Sequence, residues 1–227
     1  MDSIWINAPA KINIGLDVIR RREDGYHEVK MIMQSIRLFD RLTLTKTKEP
    51  GIKLTTNLSY LPVNEDNLVY QSAKRLMDEF HLEGGLDIKL DKRIPVAAGM
   101  AGGSTDAASC MLAINDLYGL GLSKRHLMKR GVKLGADIPY CILKGTALSE
   151  GIGEKLSTIP AMPSCYILIA KPNIHVSTKW VYTNLVLDEH TNHPDIDGML
   201  ASMKKRDLLS LSNQIGIVWE SVTIPAY

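Results

Sequence analysis

The feature that most constrains this chain is the glycine-rich stretch "VAAGMAGGSTDAAS" at residues 96–109. Three glycines fall within five positions and lead into alanine-rich sequence that favours a helix. Glycine allows tight turns and close approach of a ligand to the backbone, and the first N–H groups of a helix have no partner within it. Such a stretch is typical either of a simple turn before a helix or of a loop that binds phosphate.

Two common phosphate-binding patterns do not fit this stretch. A Walker A loop needs a lysine after its last glycine, and none follows Gly103. A dinucleotide-binding loop needs G-x-G-x-x-G, which Gly99, Gly102 and Gly103 do not supply. The hydroxyls of Ser104 and Thr105 could bond phosphate oxygens or a bound Mg²⁺, or they could simply cap the helix. Both interpretations stay open from these residues alone.

The composition limits the class of protein. In 227 residues, 45% are apolar and 23% charged, which is ordinary for a globular chain of one or two domains. A net charge of +2 without a run of like charges argues against a nucleic-acid partner. There is no stretch of about 18 consecutive apolar residues, so no membrane partner is predicted and a cytoplasmic location is expected.

Cysteines and histidines give no metal or redox pattern. Cys110, Cys141 and Cys165 are widely spaced among apolar neighbours, so we expect three buried thiols. Five histidines show no metal-ligand spacing, and no metal site is assigned to them: His81, His126, His175, His190 and His193.

Alternation of apolar and polar residues predicts several strands. Residues 3–19 indicate two strands with a break at Pro9, and Asp24-Gly25 is a hairpin signal. Further strands are predicted at 42–45, 52–55 and 86–90, within 145–156, and at "YILIAKP" (166–172), which is interpreted as a buried strand that opens a second subdomain.

Helical spacing occurs in three places between these strands. The first helix is predicted over residues 67–81, with Asp66 as its cap. The second covers about 105–118 and ends at glycine, and the third begins after Ser123 and ends near Gly135. Strands and helices do not alternate regularly, which indicates an α+β fold with a long antiparallel component.

Three separated segments, in order, resemble the GHMP kinase superfamily: "APAKINIGLDVIRRREDGYHEV", "IPVAAGMAGGSTDAA" and "LGADIPYCILKGTALSEGIGEKL". The glycine loop is shared with mevalonate and homoserine kinases. The P-A-K-I-N and D-G-Y-H pieces are similar to one branch, the kinases of 4-diphosphocytidyl-2-C-methyl-D-erythritol. The resemblance covers essentially the whole chain.

The resemblance implies a GHMP kinase fold of two α+β domains. Residues 1–159 would form an N-terminal ribosomal protein S5 domain 2-like domain with a glycine-rich ATP loop, and residues 160–227 an incomplete ferredoxin-like C-terminal domain. It implies ATP and Mg²⁺ as cofactors and phosphorylation of the 2-hydroxyl of 4-diphosphocytidyl-2-C-methyl-D-erythritol, a step of the non-mevalonate route to isoprenoid precursors. The substrate would lie in the cleft between the domains.

The resemblance also assigns roles to residues. Lys11 and Asp137 match the catalytic pair, and Asn13, Tyr26, His27 and Tyr182 match or accompany substrate-binding positions. The ATP loop falls on Pro95, Val96, Ala97, Ala98, Gly99, Met100, Ala101, Gly102, Gly103, Ser104 and Thr105.

The residue types suit that chemistry. A tertiary alcohol needs a proton acceptor as it attacks, which Asp137 can supply, while Lys11 can keep Asp137 ionised and stabilise the transferring phosphoryl group. Taken singly, the same residues have structural alternatives: Lys11 as a solvated edge charge, Asp137 as a turn cap, Tyr26 packed on the sheet and His27 as a surface histidine.

The sequence departs from the family at two places. Within the loop, Met100, Ala101 and Thr105 stand where leucine, glycine and serine are common, and Ala101 matters only if that position needs a positive φ. The family's later M-S-G-S-G-P segment is not found, so we expect exposed apolar sheet surface in the second domain. There are three alternatives. The first is a working kinase, for which self-association as a homodimer is one expectation. The second is a catalytically impaired nucleotide-binding remnant, and the third is another small-molecule GHMP kinase.

Overall fold

The computed structural model describes residues 2–172, 174 and 176–226. The histidine at position 175, to which no role was assigned, lies outside the described residues. No helix in the described part of the chain is long and apolar enough to cross a membrane.

Two compact units make up the chain. Unit 1 contains residues up to Lys11 together with Ser35–Lys144, and unit 2 contains Ile12–Gln34 and the residues from Gly145 onward. The chain therefore passes between the units three times, and two of these passages lie within long strands that supply residues to both units. The domain boundary expected between residues 159 and 160 stays a prediction.

The two long strands are β1 (Ser3–Arg21) and β2 (His27–Thr47), which are neighbours in the sheet. The hairpin turn predicted at Asp24-Gly25 is confirmed, with Gly25 at φ 84°. The predicted break at Pro9 is wrong, because β1 runs through it. Pro9 has no N–H to donate to a neighbouring strand. Its carbonyl accepts from the hydroxyl of Thr105, in a helix, so this edge of β1 faces a helix at Pro9 and no hydrogen bond between strands is lost.

Unit 1 contains the other two strands of its sheet, β3 (Gly51–Thr56) and β4 (Gly85–Asp91). The order is β3-β4-β2-β1, with β3 parallel to β4 and β4 antiparallel to β2. The predicted strands at 42–45, 52–55 and 86–90 are confirmed. Alternate residues such as Leu42, Leu44 and Ile88 are buried, which explains why the period-two pattern identified these strands.

Four helices complete unit 1: α1 (Leu68–Glu79), α2 (Gly102–Tyr118), α3 (Lys124–Gly131) and α4 (Ile138–Leu143). Helix α1 packs against α2, and buried side chains of both helices, among them Leu76 and Met111, contribute to the core.

The helix ends show which sequence signals were correct. Asn67, not Asp66, caps α1, since its side chain accepts from the Val69 N–H at 2.9 Å. Ser123 caps α3 as predicted, although that helix ends at Gly131, four residues before Gly135. Helix α2 ends at Gly119, as predicted, in the left-handed conformation with φ 65°.

Unit 2 adds three strands to the remaining parts of β1 and β2. Strand β5 (Thr146–Gly151) runs antiparallel to β2, β6 (Lys155–Thr158) antiparallel to β5, and β7 (Gly216–Ile217) parallel to β1. The strands and turn predicted within 145–156 are therefore confirmed. Four helices follow among the described residues of this unit: α5 (Thr178–Asn184), α6 (Ile196–Lys205), α7 (Leu208–Gln214) and α8 (Glu220–Ala226).

The core of unit 2 forms where α6 covers the sheet. Ile14 and Ile32 from the two long strands pack with Met199 and Met203 of α6. A Cβ on Gly15 would lie 2.5 Å from the Met199 sulfur, so a larger residue there would displace the Met199 side chain from its present position.

Two expectations for unit 2 are wrong. Residues 166–172 form no strand, and Tyr166 and Leu168 are 105% and 96% exposed. Their composition favours a strand, but a strand also needs a neighbour to supply ladder hydrogen bonds, and none pairs with them in the described chain. Cys165, which directly precedes these residues, is also exposed, so its predicted burial is wrong. Cys110 and Cys141 are buried as predicted.

Candidate active site

The glycine loop has an unusual backbone. Ala97, Gly99 and Ala101 all have positive φ angles, of 53°, 69° and 54°. Alternate residues are therefore left-handed, which is the arrangement in which successive N–H groups can face one anion. A left-handed residue other than glycine costs about 1–2 kcal/mol, so the alanine at position 101 carries a real strain.

Helix α2 begins at Gly102, within the predicted ATP loop, and has no side-chain cap. Ala101 is in the cap position and makes no side-chain hydrogen bond, and the Thr105 N–H donates to the Ala101 carbonyl at 2.8 Å. The N–H groups of Gly102, Gly103 and Ser104 therefore precede the first helical hydrogen bond. The helix starts three residues earlier than predicted, because the glycines adopt helical geometry, so Ser104 and Thr105 are not its caps.

A cavity of about 360 Å³ lies against this loop in unit 1. Every predicted loop residue lines it except Thr105, which is fully buried. Its other walls are formed in equal number by apolar residues, Leu61, Pro62, Leu68 and Leu90, and by polar or charged residues, Asp66, Asn67, Lys92 and Asp106. The loop's backbone donors and a partly apolar pocket are thus adjacent.

The loop and α2 are fixed to strand β1. The Thr105 hydroxyl donates to the Pro9 carbonyl at 2.8 Å, and the Lys11 N–H donates to the Met100 carbonyl at 3.2 Å. Residues two apart on a strand direct their backbone groups to the same edge, so both bonds form along one edge of β1. Lys11 is therefore held next to the glycine loop.

Lys11 and Asp137 both lie close enough to Cys141 for their charges to act on its thiol. Lys11 is buried, at 6% exposure, and Asp137 is half-buried at the start of α4, where its side chain makes no capping bond. Cys141 lies one helical turn later, and its N–H donates to the Asp137 carbonyl at 3.0 Å. The pKa of the Cys141 thiol is raised to about 12, first by burial and then by the Asp137 carboxylate, while the Lys11 ammonium opposes both.

Sequence reasoning missed a buried charged cluster of three residues beneath the loop. The Lys92 ammonium donates to the Asp106 carboxylate at 2.7 Å and also to the Asp40 carboxylate. Burial raises the pKa of Asp106 to about 8, against the opposing effect of Lys92. Burial lowers the pKa of Lys92, but the two carboxylates outweigh it and the pKa is raised. A signal was present, since Asp106 directly follows the G-G-S-T stretch.

The predicted substrate-binding aromatic residues come together in unit 2. Tyr26, His27 and Tyr182 line a cavity of about 420 Å³. The His27 and Tyr182 rings are stacked at 4.8 Å, while Tyr26 is 61% exposed. Burial, and then the nearby charge of Arg21, lower the pKa of His27, which favours its neutral form.

Asn13 does not join this group of residues. It is half-buried on β1 and does not line the cavity formed by Tyr26, His27 and Tyr182. Its role in substrate binding stays a prediction.

Comparison with known proteins identifies the family. The GHMP kinases N terminal domain matches residues 67–145, which include the glycine loop and Asp137. A 4-diphosphocytidyl-2-C-methyl-D-erythritol kinase of Lachnoclostridium phytofermentans is 55% identical over 99% of this chain and 77% of its own length. The chain belongs to the 4-diphosphocytidyl-2-C-methyl-D-erythritol kinase family. It is thus a small-molecule phosphotransferase, and the prediction from the three sequence segments is confirmed.

Other members of the family and the fold agree with this. The kinase of Lachnospira eligens is 52% identical over 100% of this chain and 79% of its own length. A crystal structure of 4-(cytidine 5'-diphospho)-2C-methyl-D-erythritol kinase matches with a TM-score of 0.80 and 28% identity, over 99% of this chain and 78% of that one. Homoserine kinase from Cytophaga hutchinsonii, at 19% identity and a TM-score of 0.67, shares the fold. The predicted GHMP kinase fold is confirmed.

Proposed function

We propose that this chain transfers the γ-phosphoryl group of ATP to the 2-hydroxyl of 4-diphosphocytidyl-2-C-methyl-D-erythritol. The observation that carries the proposal is the uncapped start of α2, with Lys11 held next to it by the hydrogen bond to Met100. An anion-binding helix start next to a buried lysine suits phosphoryl transfer, in which positioning and charge stabilisation supply most of the catalysis.

ATP would bind along the glycine loop. The N–H groups of Gly102, Gly103 and Ser104 would donate to phosphate oxygens, helped by the positive end of the α2 dipole. The apolar walls formed by Leu61, Leu68 and neighbouring residues would take the flat base.

Mg²⁺ fits the oxygen donors of this site. It is commonly bound through phosphate oxygens and one or two protein ligands, and the Ser104 hydroxyl next to the loop would be such a ligand. When bound, the ion neutralises charge on the phosphate oxygens.

Asp137 would act on the substrate hydroxyl. A carboxylate at this place can take the proton of the attacking 2-hydroxyl, or orient that hydroxyl towards the γ-phosphate. Lys11 carries the opposite charge, so it would stabilise negative charge on the transferring group.

The cytosine base would bind at Tyr26, His27 and Tyr182. The exposed Tyr26 ring offers a stacking surface, and the stacked pair of His27 and Tyr182 forms another part of the lining. Neutral His27 has one donor and one acceptor nitrogen, which match the mixed polar edge of cytosine.

An assay of phosphate transfer tests the proposal. The purified chain is incubated with ATP, Mg²⁺ and the diphosphocytidyl substrate, with Asp137→Ala as the control and homoserine and mevalonate as other acceptors. Product with the diphosphocytidyl substrate, well above the control, is expected. No turnover above the control would overturn the proposal, and retained ATP binding without turnover would indicate an impaired remnant. Preferred phosphorylation of homoserine or mevalonate would also overturn it.

Two expectations from the sequence stay predictions: the cytoplasmic location and the homodimer. Sedimentation velocity at several protein concentrations would test the second, because self-association shifts the sedimentation coefficient with concentration.

A further inference from the structure

We propose that Lys92 is a positioning residue that clamps the two ends of the glycine loop through Asp40 and Asp106. The inference rests on the proposed function in one respect, namely that this loop is the ATP site. The clamp would hold the first N–H groups of α2 in the arrangement that receives phosphate.

The cluster of Asp40, Lys92 and Asp106 connects the residue before the loop to the residue after it. Strand β4 ends at Asp91, so Lys92 is the first residue after it, and Asp106 lies in the first turns of α2. The bond of 2.7 Å between the Lys92 Nζ and the Asp106 Oδ2 therefore joins the residues on either side of 93–105. All predicted ATP-loop residues fall within this interval.

The entry of the loop is fixed by further bonds. The Asp40 carboxylate on β2 accepts from the Ile94 N–H at 2.8 Å, and it also binds the Lys92 ammonium. The side chain of Asn57 accepts from the Lys92 N–H at 2.8 Å and donates to the Lys92 carbonyl at 3.0 Å. Lys92 is thus held by both its backbone and its side chain.

The start of α2 closely approaches this cluster. A Cβ on Gly102 would lie 3.2 Å from the Lys92 Nζ and 3.4 Å from a methyl carbon of Ile94, whereas on Gly103 the nearest atom would be 3.7 Å away, on Leu68. The lack of a side chain at Gly102 therefore lets the start of α2 pack closely against the Lys92 ammonium, in addition to leaving its backbone N–H accessible.

A direct role of Lys92 in holding phosphate fits the structure less well. Its side chain is 4% exposed and its ammonium is engaged by the side chains of both Asp40 and Asp106, so it is not turned towards a ligand. Buried ion pairs add little net stability compared with apolar packing, but they fix geometry where both partners are retained. Positioning is therefore the role that this arrangement supports.

Two variants of Asp106 distinguish the loss of the clamp from a general loss of stability. Asp106→Leu removes the link to α2 but leaves the Lys92–Asp40 pair balanced, so no buried charge is left without a partner. Asp106→Asn keeps an oxygen that can accept from Lys92 and serves as the conservative control.

Calorimetric titration with ATP and with CDP is the first test. Asp106→Leu should weaken ATP binding about tenfold or more, the loss expected for one charge-assisted hydrogen bond, and should raise the KM for ATP. CDP binding should stay unchanged, because the predicted cytosine site lies in unit 2. Asp106→Asn should behave like the unmodified chain. Unchanged ATP affinity in Asp106→Leu would overturn the clamp.

Hydrogen exchange tests the clamp independently of ATP binding. In Asp106→Leu, amides across 93–105 should exchange about tenfold faster while the rest of unit 1 is unchanged, and Asp106→Asn should restore slow exchange. The inference would be overturned if exchange became faster throughout unit 1, or if the exchange rates of the amides in 93–105 did not change. If the unmodified chain binds no ATP, the proposed function fails, whereas the exchange experiment still decides the clamp.

Discussion

The Thr105 hydroxyl donates to the Pro9 carbonyl at 2.8 Å, and this bond joins the helix after the glycine loop to the strand that carries Lys11. Thr105 is fully buried and does not line the loop cavity. Its hydroxyl therefore supports the site from beneath rather than contacting a ligand.

Removing this hydroxyl should affect both stability and activity. Thr105→Val keeps the shape but leaves the Pro9 carbonyl without this partner, so the free energy of unfolding should fall by about 1–3 kcal/mol. The value of kcat/KM should fall as well, since Lys11 and the loop lose a shared support. Urea unfolding and steady-state kinetics measure the two effects. Thr105→Ser retains the hydroxyl but removes a buried methyl group, so it should lose some stability while keeping kcat/KM close to that of the unmodified chain. An equal loss of kcat/KM in both variants would contradict this role.

Ala101→Gly should stabilise the protein. Relief of the left-handed strain at φ 54° gains about 1–2 kcal/mol, and the greater freedom of glycine in the unfolded chain costs about 0.4–1 kcal/mol. A net gain of roughly 0.5–1 kcal/mol in the free energy of unfolding is expected from these opposing effects. The matched control is Ala113→Gly, in the middle of α2, which should destabilise. A loss of stability in Ala101→Gly would show that the strain is not present.

Stability should depend on pH through Asp106. Its pKa is about 8 in the folded chain and 3.8 for an ordinary aspartate, so between these values the folded state binds more protons than the unfolded state. The free energy of unfolding should therefore fall as pH rises from about 5 to 8, relative to Asp106→Asn, which has no proton to lose. Urea unfolding of both proteins across this range measures the difference. If the free energies of unfolding of the two proteins changed in parallel with pH, Asp106 would not hold a proton in the folded chain.

Tyr26→Ala should weaken CDP binding without affecting ATP binding. Stacking of a base on an aromatic ring contributes about 1–3 kcal/mol, so the dissociation constant for CDP should rise roughly tenfold or more. Tyr60→Ala provides a control, since Tyr60 is also exposed, at 70%, but belongs to unit 1. Calorimetric titration of both variants with CDP checks this, and equal CDP affinity in the two variants would argue against a base site at Tyr26.

The sequence predicted the elements whose signals are local. Caps such as Ser123, the turn at Gly25 and the period-two strands were identified because neighbouring residues determine them. The roles of the loop, Lys11 and Asp137 were assigned through motifs of the resembling family rather than through spacing, and they stay predictions.

What the sequence did not reveal depends on residues distant in the chain. The Lys92 cluster joins residues 40, 92 and 106, and no local pattern indicates that three charged side chains will be buried together. The same reason explains the wrong predictions at Pro9 and at residues 166–172, because whether a strand continues or forms depends on what lies next to it.

The most direct test of the account is the effect of Asp137→Asn on turnover and on binding, measured in parallel. The amide keeps the size of the side chain but cannot take the proton of the 2-hydroxyl. We expect turnover of 4-diphosphocytidyl-2-C-methyl-D-erythritol with ATP to fall at least about 100-fold, the usual contribution of a general base. The dissociation constants for ATP and CDP should stay within about twofold, since neither predicted binding site relies on that proton transfer. Turnover within tenfold of the unmodified chain would contradict the assignment of Asp137 and with it the proposed mechanism.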